Sequence, residues 1–114
     1  MIRGALLSTG LLLAVAVSAS AAGDPGKGAD VFGRCALCHG PEGRGDGKLA
    51  AVIKNPPPFN LTWSRLPDSY LRDIITKGGA GVGRSPRMPP WGGDLTSSEI
   101  ESVMLHLKTL RETK

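Results

Sequence analysis

Residues 35–39 read Cys35-Ala36-Leu37-Cys38-His39, and the rest of the chain is best understood outward from them. Two thiols three residues apart share one helical turn, and an imidazole follows at once. Each sulfur on such a turn can add to a vinyl group of a porphyrin while His39 offers a nitrogen to the iron, which is why C-x-x-C-H is the attachment signature for c-type haem. Tethering at Cys35 and Cys38 leaves the cofactor no route of escape. Three other readings compete for the same residues. A dithiol/disulfide redox pair needs a βαβ setting that the flanking sequence lacks. A structural zinc site normally takes four protein ligands, yet His106 is the only other histidine and there are no further cysteines. A plain disulfide is sterically poor across two intervening residues in a helix, although export would permit it.

The size of the chain argues for a large apolar cofactor. The 114 residues allow one small domain. Without a leader, about 90 residues remain, near the lower limit for a self-sufficient core. Aromatic residues make up only 4% of the chain, while 16 Gly and 9 Pro indicate long loops, so a bound apolar group is expected to complete the interior. The leader is read over residues 1–22. Arg3 supplies a positive start, Ala5 to Val17 is uncharged and rich in Leu, Ala and Val, and Ala19-Ser20-Ala21-Ala22 offers small residues for cleavage near 21–23. Export to the periplasm and a domain over residues 23–114 follow. The alternative is an uncleaved membrane anchor, because Ala5 to Ala22 is nearly long enough to span a bilayer, but Ser8, Thr9 and Gly10 interrupt its apolar run. No later segment is long and apolar enough to span.

Three helices are expected in the domain, with no stretch of period-two alternation to argue a sheet, so the fold class is all-α. The first opens with Asp24 as cap and Pro25 at the first helical position, and runs towards Cys35. The second follows Leu66-Pro67-Asp68, aligns Leu71, Ile74 and Ile75 on one face, and stops at Gly78-Gly79. The third begins at the capping box Thr96-Ser97-Ser98-Glu99, after which Ile100, Val103, Met104, Leu107 and Leu110 form one apolar stripe. His106 borders that stripe.

With His39 on one face of the iron, the opposite face holds either a sixth ligand or an open site, and that choice separates an electron carrier from an enzyme. Met88 is the candidate, because Arg87-Met88-Pro89-Pro90-Trp91 places a thioether on a loop stiffened by two prolines. Met104 lies on the apolar stripe of the last helix and is read as a core filler. His106 is the other possible ligand, although the border of an amphipathic helix is an ordinary place for histidine. Met/His ligation raises the reduction potential and closes the iron to substrates.

From residue 23 onward the sequence resembles a class I cytochrome c, the small soluble single-haem type. The matching pieces are Gly28 and Phe32, then Cys35-x-x-Cys38-His39 with Gly40, the loop Asn55-Pro56-Pro57-Pro58, Met88-Pro89 and the closing helix from Thr96. The resemblance implies short helices and long loops around one covalently attached haem c, with His39 and Met88 as axial ligands. It also implies that the first and last helices cross, with Gly28 allowing close approach and Phe32 packing on an aromatic of the last helix. There this sequence places His106 instead. In relatives a proline carbonyl accepts the proton of the proximal imidazole, a role for which Pro56, Pro57 and Pro58 compete.

The remaining features bear on partners. The net charge of +4 is small and scattered, which excludes nucleic acid in the absence of a basic motif. Between residues 65 and 87, Arg65, Arg72, Lys77, Arg84 and Arg87 face only Asp68 and Asp73, so this stretch is expected to steer acidic docking surfaces on a redox donor or acceptor towards the haem edge. The run Gly78-Gly79-Ala80-Gly81-Val82-Gly83 lacks the strand and helix that a phosphate loop requires and is read as a pliable segment beside the haem. Trp63 and Trp91 are read either against the porphyrin or in the core. The expected protein is a periplasmic one-electron shuttle, a monomer or weak oligomer and not itself an enzyme. The alternatives are a small cytochrome subunit of a larger oxidoreductase and a haem protein with an open distal site.

Overall fold

The computed structural model describes residues 10–14 and 23–112, and the expected leader over 1–22 falls largely outside them. Among the described residues four helices carry the fold: α1 (Pro25–Phe32), α2 (Ala36–His39), α3 (Asp68–Gly81) and α4 (Ser97–Glu112). Short 3-10 turns at Lys48–Ala51 and Leu61–Trp63 interrupt the long loop between α2 and α3. Among the described residues there is no strand, so the all-α class holds. None of the described helices is long and apolar enough to cross a membrane.

Helix α1 begins where local chemistry dictates. The Asp24 side chain accepts hydrogen bonds from the backbone N–H groups of Gly26 (2.8 Å) and Lys27 (3.3 Å), and Pro25, which has no N–H to leave unpaired, takes the first turn. Helix α4 opens on the expected reciprocal pair. Thr96 Oγ1 accepts from Glu99 N at 3.1 Å, while Thr96 N donates to Glu99 Oε2 at 2.9 Å.

The two helices cross at Gly28. A Cβ there would collide with the Ser102 carbonyl of α4, so only glycine lets the backbones approach this closely. Phe32, one turn further along α1, meets His106 with ring centroids 4.9 Å apart and planes tilted by 51°. The histidine thus fills the aromatic place in the crossing. Ser102 ties the start of α1 to the same region: its hydroxyl donates to the Ser98 carbonyl at 2.8 Å and accepts from Asp24 N at 2.9 Å.

The buried core consists of Phe32, Leu71, Ile75, Leu95, Ile100, Val103, Met104 and Leu107. Met104 is therefore a core residue, and four of the eight lie on α4. Helix α3 departs from the expected stop. Its regular part ends at Gly78, which adopts φ 74°, but helical turns resume beyond this kink as far as Gly81. The glycine-rich run is thus a bent helix end and not a loose loop.

Candidate functional site

Cys35, Cys38 and His39 share one turn. Cys35 precedes α2 in helical conformation, and its carbonyl accepts from both Cys38 N (3.2 Å) and His39 N (2.9 Å), which holds the three residues together on a single short helix. Both cysteines are free thiols, half-buried. Burial, reinforced by neighbouring Cys38 and opposed by Arg34, pushes the Cys35 thiol up to about 11. Such a group is a poor thiolate and an unpromising member of a dithiol redox pair, which works through a lowered pKa.

The His39 ring is held by one contact, between Nδ1 and the Phe59 carbonyl at 3.1 Å. A carbonyl oxygen only accepts, so Nδ1 carries the proton and the Nε2 lone pair is left for a metal. Burial lowers the pKa of this imidazole against the opposing pull of the Phe59 bond, favouring the neutral form that ligates. The acceptor corrects the sequence reading, because none of Pro56, Pro57 and Pro58 fills this role. The Pro58 carbonyl instead lies over Gly45, and the next peptide turns its oxygen to the ring as the chain enters the Leu61–Trp63 turn. A backbone acceptor leaves no mark in side-chain identity. The one signal was Asn60-x-Thr62, a capping pattern just after it.

Met88 is half-buried and packs on the core that Cys35 also borders. Its backbone is fixed on both sides: Met88 N donates to the Ser85 carbonyl at 3.3 Å, and its own carbonyl accepts from Gly79 N at 2.9 Å. The kink at Gly78 makes this possible. A Cβ on Gly78 would lie 2.9 Å from the Met88 carbonyl oxygen and 2.7 Å from Pro90 N. His106, the other candidate ligand, is placed in the helix crossing against Phe32.

The basic stretch is divided by the structure. Arg72 forms a two-pronged pair with Glu101 (Nη2 to Oε2 3.1 Å), a partner outside the stretch, and Lys77 pairs with Asp73 at 3.4 Å. Arg84 and Arg87 are exposed on the segment leading to Met88. Trp91 is half-buried against the core, whereas Trp63 is 61% exposed.

Residues 23–107 match the family described as cytochrome C oxidase, cbb3-type, subunit III. The chain belongs to this family of c-type cytochromes. The cytochrome is also 34% identical to the Cbb3-type cytochrome c oxidase subunit FixP of Azorhizobium caulinodans, in an alignment covering 74% of this chain and 26% of that protein. It therefore spans about a quarter of the length of that relative.

Family membership implies covalently bound haem c, and the residues fit such a group. Besides two thiols and an imidazole with its proton on the far nitrogen, the motif and the segments bordering it carry exposed apolar side chains. Leu37 is 53% exposed, Val52 70% and Phe59 48%, and Leu49 is similar. Large exposed apolar groups around a donor set suit a flat apolar ligand. These cradle residues have no periodicity, so the sequence alone did not single them out.

Proposed function

We propose that the cytochrome transfers single electrons through one haem c, attached at Cys35 and Cys38 and ligated by His39 and Met88, as the cytochrome component of an oxidase assembly. The observation that carries the ligation is the His39 Nδ1 to Phe59 carbonyl bond, which orients the ring and presents Nε2. Haem c supplies a one-electron iron couple. The chain's own residues do the rest. The Cys35 and Cys38 thiols would hold the porphyrin to α2 by adding S–H across its vinyl C=C bonds, an addition with no change in redox balance. His39 and Met88, each held by backbone hydrogen bonds, would serve as the iron ligands, and their fixed positions would limit reorganisation. Exposed Leu37, Leu49, Val52 and Phe59 would supply the apolar surface that shields such a group from water.

The assembly reading rests on likeness to a named oxidase subunit and a named oxidase-subunit family. A second reading, a diffusing periplasmic shuttle, is supported by the leader-like residues 1–22 and the single C-x-x-C-H motif. In either case exposed Arg84 and Arg87 favour an acidic partner surface beside Met88. The two readings part on isolation of the tagged, haem-loaded chain from its own membranes and periplasm under mild conditions. A stable heteromer with oxidase activity supports the assembly role; a monomer recovered from the periplasmic fraction, still reduced by cell extract, supports the shuttle.

A further inference from the structure

The Phe59 carbonyl that holds His39 belongs to the peptide plane between residues 59 and 60, so its direction depends on rotation about the bonds on either side of that plane. Both sides are fixed. On the far side, Asn60 Oδ1 accepts two hydrogen bonds from one residue, from Thr62 N at 3.1 Å and from Thr62 Oγ1 at 2.7 Å. These bonds cap the Leu61–Trp63 turn and hold Asn60 at φ −74° and ψ 103°. The near side is set by a close approach. Gly45 N donates to the His39 carbonyl at 2.7 Å, and a Cβ on Gly45, itself at φ 81°, would lie 2.6 Å from the Pro58 carbonyl oxygen and 3.3 Å from Phe59 C. Leu61 N then donates to the Gly43 carbonyl at 2.6 Å, closing the two loops on each other.

The 43–45 loop therefore sets the separation between the backbones of His39 and Phe59, and Asn60 sets the angle at which the carbonyl meets the ring. We propose that Asn60 is a positioning residue for the iron ligand, tuning the reduction potential by holding the Phe59 acceptor on His39 Nδ1; this rests on His39 being an axial ligand. A firm bond from Nδ1–H to a carbonyl makes the imidazole a stronger donor, which favours the ferric over the ferrous state. Loosening the Phe59 carbonyl leaves Nδ1–H to water, weakens that preference and raises the potential.

The test uses the haem-loaded chain, comparing wild type with Asn60→Ala, Asn60→Ser and Thr62→Val. Potential is read by spectroelectrochemistry and the His39 Nδ1 proton by NMR in the reduced state. Asn60→Ala is expected to raise the potential by up to about 59 mV, a tenfold change in the ratio of oxidised to reduced protein, and to speed exchange of the Nδ1 proton. Asn60→Ser, which keeps a capping oxygen, restores both values towards wild type. Thr62→Val removes only the hydroxyl bond and gives a smaller shift in the same direction, so the result does not depend on Asn60→Ala taking up haem. Unchanged potential and proton exchange in Thr62→Val and in the loaded Asn60 variants, with only thermal stability lowered, would overturn the proposal and reduce Asn60 to a turn cap. That outcome is distinct from failure of the ligation itself, which would appear as a wild-type spectrum without low-spin bands or one that persists in His39→Gly.

Discussion

At Gly28 a single missing Cβ decides how two helices meet. Because the obstacle is the Ser102 carbonyl and not a movable side chain, Gly28→Ala is expected to destabilise the domain by about 1–3 kcal/mol, measured by urea unfolding of the loaded protein. The thiols permit an equally local prediction. Cys35→Ser or Cys38→Ser leaves one thioether, and the double substitution leaves none; acidified organic solvent should then extract haem only from the double variant, with intact mass spectrometry as the check. Both effects could be foreseen, since Gly28, Cys35 and Cys38 announce themselves by type and spacing. The Phe59 carbonyl does not. Its role depends on where a backbone oxygen points, and that follows from the Asn60 cap and from the approach of residues 43–45, a contact between segments distant in sequence.

Among the elements, α1 and α4 were legible because their ends are written in side chains: Asp24 with Pro25, and the Thr96/Glu99 box. Thr96→Ala should cost about 1 kcal/mol, read from the thermal midpoint. The short turns at Lys48–Ala51 and Leu61–Trp63 escaped the reading, being too brief for any apolar period. At α3 the glycine pair marked the place of the break correctly, but the helical turns beyond it depend on Gly79 bonding to the Met88 loop, a tertiary effect. The α1–α4 crossing adds a pH dependence. Burial depresses the folded-state pKa of His106 below its ordinary 6.5, so the unfolded chain binds its proton first as pH falls. The stability contributed by neutral His106 is full above 6.5 and is lost as pH drops through the lower folded value. His106→Phe keeps the ring contact with Phe32 and should flatten that part of the stability profile, as followed by urea midpoints across the window.

For the molecule as a whole, the buried residues are few, and several large apolar side chains face outward around the C-x-x-C-H turn, so the interior is expected to be completed by the cofactor. Charge pairing holds the outer faces. Asp68 meets Lys108 at 2.8 Å and Arg111 at 3.8 Å, joining α3 to α4, and Glu101 meets Arg72 across the same helices. Hydrogen bonds from Lys108 and Arg72 lower the pKa of Asp68 and Glu101 respectively. These carboxylates therefore stabilise the fold above their ordinary values of 3.8 and 4.5, and that stability disappears as pH falls through the depressed folded values. Arg72→Gln should make the acid limb of the unfolding profile shallower. At the same scale, docking through Arg84 and Arg87 predicts that added salt slows electron transfer to the physiological partner, and that Arg84→Gln with Arg87→Gln removes most of this salt dependence in stopped-flow traces.

The most direct test of a closed, electron-carrying iron is the optical spectrum of the loaded protein, oxidised and reduced, for wild type and Met88→Ala. The account predicts sharp low-spin bands in the reduced wild type and, in the oxidised state, the weak near-infrared-edge band of sulfur bound to ferric iron, lost in Met88→Ala. A high-spin wild type, or a sulfur band that survives the substitution, would contradict it.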